Sequence, residues 1–559
     1  MNIEEIEKTT LWQLYEKGAN YNRLMNMYSD TDKNFRFYNG DQWQGLKSGG
    51  IAPVSFNVIK PIVKHQVGTI NQNLWSINYS SDNFDNELMT KLGSAICSLL
   101  NKRASRVFEK DNMDYKLRKV SKQAAINDEG LIYVDYDEET NDPINEIVNK
   151  VDVCYGNENS SDIQSQPYII IKTRKPVSYV QELAKIKGVD EFSINNIRGD
   201  NDTTEESGEH SKYEVDDMCT VLTKMYKKDG TVHFSKSTKY VDIQEEKDTG
   251  LKLYPLVHMV WEEVEGYSRG IGIVKYLIPN QIEINKTLMR RTLTVKQTAY
   301  PQKAVLIDKV QNPSAVNEVG ATIKFTGMEI DDVRKAFNYT TPAQMSSDAN
   351  NLQQELIQTT RDLNNSSELA TGNVNPEDAS GRAILAVQQA SNMPLGEQTL
   401  ALKTMIEDLA RIYLDMWKTY AEDGLKVIDD SNPEEITVNQ ITVAMLEQLQ
   451  ATVRVDITPK SPYDKFAVEQ SIENLFMQNK ISFDEYVKLL PEDSVMPKQK
   501  LEIIIKDRQD AQQEIAQMQS QADSIMNQTN QVMQDQEEIA NIQDAGNQIA
   551  EEMEETTDM

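Results

Sequence analysis

One basic amphipathic helix inside an acidic chain constrains this sequence most. From about 271 to 299, Val274, Leu277, Ile278, Ile282, Leu288, Met289 and Leu293 recur at helical intervals. The polar side carries Lys275, Lys286, Arg290, Arg291 and Lys296 against Glu283. Pro301 predicts the end of this helix, because the residue before a proline is pushed out of the helical region. A short insert follows over 302–345, with strands at Gln302–Asp308 and Ala321–Phe325 and a helical turn at Asp331–Ala336. Pro342 closes it. A second amphipathic helix places Ala349, Leu352, Leu356 and Leu363 on one stripe and breaks at Asn364-Asn365-Ser366-Ser367. Gly372 and Asn373 continue the irregular stretch. Asn375 is then a suitable N-cap, Pro376 fits the first helical position, and Glu377 and Asp378 fit the positive end of the helix dipole. This third helix runs through Ile384, Val387, Leu402, Met405, Ile406, Leu409, Ile412 and Met416 to about 422, with Pro394 inside it. An interior proline removes a backbone hydrogen bond and costs about 3 kcal/mol, so a kink is expected there.

The flanks predict an α+β chain. Residues of about 3–30 have helical spacing, with Leu11, Leu14, Tyr15 and Leu24 on one side, and Asn39-Gly40 marks a turn. Pro53–Val63 leads into another helix, and about 86–126 reads as helical and charged. Gly130–Tyr136 and Pro167–Thr173 read as strands. Residues 190–212 are polar and without periodicity, as expected of a surface loop. Val221–Tyr226 and Thr231–Phe234 flank Lys228-Asp229-Gly230, a hairpin signal. Leu251–Trp261 reads as another strand. Beyond Gly424 the pattern predicts a helix near 439–449, a strand at Thr452–Ile457, and helices at about 463–478, 482–490 and from 497 onward. No Lys or Arg follows Arg508, and Met518, Ile525, Val532 and Ile539 recur every seven residues. One apolar position per heptad suits a helix leaning on copies of itself better than a free coiled coil. The last ten or so residues are expected to be disordered.

Composition narrows the function. With 58 basic against 88 acidic residues the net charge is −30, unsuited to gripping nucleic acid over the whole surface. Cys97, Cys154 and Cys219 are scattered and form no paired motif, as expected in a reducing compartment. The start, Met1 to Glu7, lacks a signal-peptide layout, and apolar runs such as Tyr168–Ile171 are too short to span a bilayer. The chain is therefore expected to be made in a cytoplasm and to contact no membrane.

The chemical motifs are few. Gly266-Tyr267-Ser268-Arg269-Gly270 matches the G-x-S-x-G elbow of α/β-hydrolases. That Ser needs a histidine later in the chain, and His65, His210, His233 and His258 all precede it. A glycine-flanked turn ahead of a helix is the preferred reading. No phosphate loop and no zinc pattern is present, so no cofactor or metal is expected. Asp135, Asp137 and Glu138 read as a strand-end turn rather than a metal site. Phe35, Phe37, Tyr38 and Trp43 read as core rather than as stacking platforms for bases.

The order of helix, insert, helix, loop and proline-broken helix resembles the core of phage portal proteins, the rings through which double-stranded DNA enters a capsid. Phe37–Trp43 and Asn57–Val63 look like the family's N-terminal wing. Gly270, Gly272, Pro279-Asn280-Gln281 and Asn285 look like the start of its first stem helix, and Ser380-Gly381 with Pro394 looks like its long kinked helix. The resemblance implies a mixed α/β wing over 1–270, stem helices at 271–301 and 346–364, and a small α/β clip at 302–345. It further implies a tunnel loop at 365–377, a long kinked helix with the rest of the wing at 378–460, and an α-helical crown with an acidic tail at 461–559.

The resemblance also implies that the chain is not an enzyme. It implies a dodecameric ring at one capsid vertex that passes double-stranded DNA and docks the terminase large subunit and a head–tail adaptor. Major capsid protein and scaffolding protein are the other implied partners. Asn364, Asn365, Ser366, Ser367, Gly372, Asn373 and Asn375 are the candidate DNA-facing loop. Lys286, Arg290, Arg291 and Lys296 are the candidate stem cations, and Lys303, Asp308, Lys309 and Lys324 the candidate clip surface. The runner-up is another ring-forming phage component, such as a head-completion or baseplate protein.

Overall fold

The structure is a computed structural model. It describes residues 3–45, 52–82, 87–200, 217–299, 303–318, 320–327, 329, 332, 337–339, 347–366, 393–429, 437–449, 451–459, 471–478 and 480–490, and a few positions between 500 and 546. It is mixed α+β, as the sequence pattern predicts. The chain divides into two units, 1–458 and 459–559.

In the first unit the N-terminal stretch is three helices: α1 (Ile3–Lys8), α2 (Leu11–Leu24) and α3 (Met27–Asn39). Leu11, Leu14 and Tyr15 are buried, but Leu24, expected on the same side, is 81% exposed at the end of its helix. Gly40 ends α3 at φ 104°, a conformation open to glycine at little cost. Phe37 and Tyr38 are core, and Trp43 donates its indole N–H to the carbonyl of Val54 at 3.1 Å. Next come α4 (Ile59–Ile70), β1 (Asn73–Ser81), α5 (Glu87–Lys110) and α6 (Met113–Asn127).

β2 (Glu129–Asp137) pairs antiparallel with β3 (Asp142–Val148). In the turn between them Asp137 accepts from Glu139 N and Thr140 Oγ1, the strand-end turn expected of this acidic run. β4 (Val153–Tyr155) and β5 (Ile169–Pro176) follow, then α7 (Val177–Ile186) and α8 (Glu191–Asn195). α8 lies where a loop was expected. Its first turn is capped by Asp190, whose side chain accepts from Ser193 N. β6 (Met218–Lys228), β7 (Thr231–Ser237) and β8 (Asp242–Asp248) complete a five-stranded antiparallel sheet in the order β4-β5-β6-β7-β8. Asp229 and Gly230 have φ of 53° and 91°, the positive pair that a tight hairpin turn needs. β9 (Leu256–Val260), shorter than its sequence suggested, joins β2 to make the order β3-β2-β9.

The long basic helix is α9 (Ile273–Ala299). In the insert, β10 (Lys303–Val305) pairs antiparallel with β11 (Phe337–Tyr339). Residues 307–309 are a 3₁₀ turn, and of the strand expected at 321–325 only an isolated bridge remains, between Phe325 and Val310. Most of the helical turn expected at 331–336 lies outside the described residues. The returning helix is α10 (Ser347–Leu363). Pro394 sits in a 3₁₀ turn, Met393–Leu395, directly ahead of α11 (Gly396–Tyr420). The helix expected from 375 to 392 lies outside the described residues. β12 (Leu425–Asp429) and β13 (Thr437–Ile441) pair antiparallel. α12 (Val443–Gln448) follows, so the helix expected at 439–449 is a strand end and a shorter helix. β14 (Ala451–Pro459) returns to pair with β1.

One large core joins α4, α5, α6, the β2 sheet, α9 and α11, with Trp417, Tyr413 and Leu409 of α11 fully buried at its centre. The second unit contains α13 (Phe483–Leu489), whose Ser482 cap and Glu485 form a reciprocal capping box. Ile472, Tyr486, Val487 and Leu490 make its small core. The heptad positions of the tail lie outside the described residues.

Candidate nucleic-acid interface

α9 owes its position to three sets of buried polar contacts. The first is at its head. Arg269 is fully buried and uses all five of its N–H donors. Nε reaches Glu158 Oε2 at 2.9 Å, and Nη1 reaches Glu129 Oε1 at 2.9 Å and the Lys150 carbonyl at 2.8 Å. Nη2 reaches the Val153 carbonyl at 2.7 Å and Glu158 Oε1 at 2.8 Å. Its guanidinium lies 4.7 Å from the centre of the Tyr155 ring. Burial pushes the Glu158 carboxyl up, but the Arg269 charge more than reverses this and holds it below the ordinary range. Ser268, the would-be nucleophile, is buried and donates to Glu158 Oε2 at 2.8 Å. A carboxylate already committed to Arg269 is no base for an elbow serine, so the motif is a structural turn. Lys150 pairs with Asp128, and Asp128 Oδ1 accepts the Gly272 N–H at 2.7 Å. A Cβ on Gly272 would meet the Ala125 carbonyl at 2.8 Å, and one on Gly270 (φ 65°) the Glu262 carbonyl at 2.4 Å. Both glycines are therefore required by close approach.

The second set lies on the next turns of α9. Gln281 and Asn285 are almost fully buried. Gln281 accepts from Val58 N at 2.9 Å and donates to the Phe56 carbonyl at 2.7 Å. Asn285 accepts from Phe56 N at 3.0 Å and donates to Gln42 Oε1 at 2.7 Å. These bonds stitch α9 to the segment that leads into α4. Pro279 lies inside α9, just ahead of these contacts. Burying a side chain such as Leu277, Ile278 or Ile284 contributes about 1.5–3 kcal/mol, so two or three of them offset the roughly 3 kcal/mol a helical proline costs.

The third set is the pairing of α9 with α10. Arg291 donates to Gln353 Oε1 at 3.1 Å, and Asn280 donates to Thr360 Oγ1 at 3.3 Å. Gln353 and Thr360 are 7% and 3% exposed, whereas Leu352 and Leu363 are 49% and 73% exposed. The inward face of α10 therefore runs through Gln353, Leu356 and Thr360; of the stripe that the sequence pattern suggests, Leu356 packs on the core while Leu352 and Leu363 face solvent.

The candidate cations divide accordingly. Arg290 and Lys296 are exposed, Lys286 pairs with Glu283 at 2.8 Å, and Arg291 is turned toward α10. Of the four candidate cations, two are thus left solvent-facing, a density that would suit weak, salt-screened contact with phosphate rather than a grip. In the insert, Lys303 Nζ donates to the Val316 carbonyl at 2.6 Å, and the backbone of Lys324 pairs with Asn312 and Gln311. Asp308 and Lys309 are exposed.

At the end of α10, Asn365 has φ 53°, Asn365 N donates to the Asp362 carbonyl at 3.1 Å, and Ser366 N to the Arg361 carbonyl at 2.9 Å. This is a Schellman termination with Asn in the left-handed position. Ser367, Gly372, Asn373 and Asn375 lie outside the described residues. Sequence reasoning misses Arg269, Gln281 and Asn285 as anchors. An arginine inside a glycine-flanked turn is the available signal for the first, and polar residues on the apolar stripe of α9 for the others.

No curated protein matches the chain. A family model described as phage P22-like portal protein matches residues 184–558.

Proposed function

This chain belongs to the phage P22-like portal protein family, and from that premise we propose that it closes into a dodecameric ring at one capsid vertex. A portal protein is a virion component engaged in genome packaging. In this chain the α9–insert–α10 excursion would form the stem and clip, with α9 lining the channel for double-stranded DNA. Residues 1–270 would supply the wing, 365–377 the tunnel loop, and 461–559 the crown and tail. The insert would dock the terminase large subunit during packaging and a head–tail adaptor afterwards, with capsid and scaffolding proteins meeting the wing.

The observation that carries this reading is the excursion itself. Two antiparallel helices leave the main core, end in a mostly exposed insert whose base is closed by β10 and β11, and return. Exposed cations remain only sparsely along α9 in a chain of net charge −30. A channel must guide DNA without holding it, because every lysine–phosphate contact adds affinity that must be broken at each step.

The test replaces 302–345 with a short Gly/Ser linker. The rest of the chain should still fold and assemble while terminase-dependent packaging is lost. Retained packaging would remove the clip assignment.

A further inference from the structure

α4 (Ile59–Ile70) touches both sides of the crossing between α10 and α11. On one side, the Gln66 side chain, itself 4% exposed, donates from Nε2 to the carbonyl of Asn364 at 3.0 Å. That carbonyl also accepts from Ser366 Oγ at 3.2 Å, and Asn364 Nδ2 bonds back to the Thr360 carbonyl at 2.7 Å. His65, beside Gln66, interacts with the backbone of Asn365. On the other side, α4 packs against the 3₁₀ turn that holds Pro394, where Leu395 is buried. The segment just before α4 is fixed to α9 through Gln281 and Asn285. One helix is thus tied to α9, to the end of α10 and to the start of α11.

We infer that α4 is a clamp that sets where the chain leaves α10 and where it rejoins α11, with Gln66 and His65 as positioning residues. The geometry argues for this over simple core packing. The Schellman bonds occupy the Arg361 and Asp362 carbonyls, and Ser366 Oγ already donates to that of Asn364, so the helix end needs no donor from outside to terminate there. Gln66 nevertheless places a buried amide there, and its Oε1 has no hydrogen-bond partner among the described residues. A glutamine buried with half its capacity unused is an inefficient way to fill a core. It is an effective way to hold one backbone carbonyl in place.

The functional consequence rests on the portal reading, in which this crossing faces the channel. In that setting the clamp ties the end of α10 and the start of α11 to α4 and α9, so strain along α9 reaches both ends.

The experiment uses the full-length assembled protein with Gln66→Met, which keeps the side-chain length and removes the donor, and His65→Phe as a second variant. Hydrogen exchange is measured on the native assembly, and packaged genome length is measured in infected cells. With the clamp intact in the wild type, Gln66→Met should speed exchange of the Asn365 and Ser366 amides roughly tenfold, as expected for loss of one buried hydrogen bond. Exchange in α9 from Gln281 to Arg291 should be unchanged. Packaging should yield shortened or leaking genomes at normal assembly levels. Unchanged exchange at Asn365 and Ser366 in both variants would overturn the clamp. Faster exchange there with normal packaging would overturn its link to the crossing's role. Wild-type protein that fails to support packaging at all would instead remove the portal reading, and the exchange result would still decide the clamp. Should Gln66→Met fail to assemble, His65→Phe gives the same exchange comparison at Asn365.

Discussion

Arg269 is the residue on which the head of α9 depends, and replacing it with alanine should be far more damaging than any surface charge change. The substitution leaves Glu129, whose side chain is fully buried, and Glu158, whose side chain is 9% exposed, without their cation. Breaking one partner out of a buried ion pair costs about 3–5 kcal/mol. The five hydrogen bonds do not add further in simple proportion, because they act as one unit. For contrast, the Arg411–Asp408 pair has side chains 47% and 46% exposed, and Arg411→Ala should cost about 0–1 kcal/mol. Arg269→Lys keeps the charge but not the fork that meets two carboxylates and two carbonyls, so it should recover less than half of the loss. A chain of this size need not unfold in one step, so the assay is local. Native-state hydrogen exchange at Gly270–Leu277 and at Val153–Tyr155 should report an opening free energy lowered by about 4 kcal/mol in Arg269→Ala. A loss under about 1 kcal/mol, the range of an exposed pair, or full rescue by lysine, would refute the view that this network anchors α9.

Gly272→Ala should destabilise the same junction by about 1–3 kcal/mol, because its Cβ would press on the Ala125 carbonyl; thermal melts of the variant check this. On the acid side, Glu158 has a folded pKa held below its ordinary 4.5. The stability it contributes is therefore present above pH 4.5 and lost as pH falls through the folded value, and Glu158→Gln should flatten that limb of a stability–pH profile. Burial pushes His65 below its ordinary 6.5, against the opposing interaction with the Asn365 backbone. Its neutral form is favoured by folding, so stability declines as pH drops below 6.5, and His65→Phe should reduce that decline. Replacing Arg290 and Lys296 together with glutamine should weaken duplex DNA binding to assembled rings and lower the salt slope by about 0.9 for each phosphate no longer neutralised; binding measured across salt concentrations tests this.

The parts legible in the sequence are those with a strong local signal. α9 shows because Val274, Leu277 and Ile278 fall on one stripe. The β6–β7 hairpin shows because Asp229-Gly230 demands positive φ. α10 misleads in part because its most buried residues are Gln353 and Thr360, polar residues satisfied by Arg291 and Asn280 across a gap of 62 and 80 residues, while of the expected stripe Leu356 packs on the core. Arg269 is illegible for the same reason, since its carboxylate partners lie 140 and 111 residues away. Proline placement shows a further limit. Pro279 lies within α9, inside the helix expected at 271–299, while Pro394, expected inside a helix, lies in the 3₁₀ turn before α11. Local rules give the strain of each proline; only the tertiary contacts around it decide whether a helix continues.

The most direct test of a ring built around α9 is a cryo-electron microscopy reconstruction of the purified, assembled protein. It should show a closed ring of a mass far above the 63.7 kDa chain, with Arg290 and Lys296 of α9 facing a central channel and residues 303–339 projecting at one end. A monomer at all concentrations, or a ring in which α9 faces outward and the insert lies flat against the body, would contradict it.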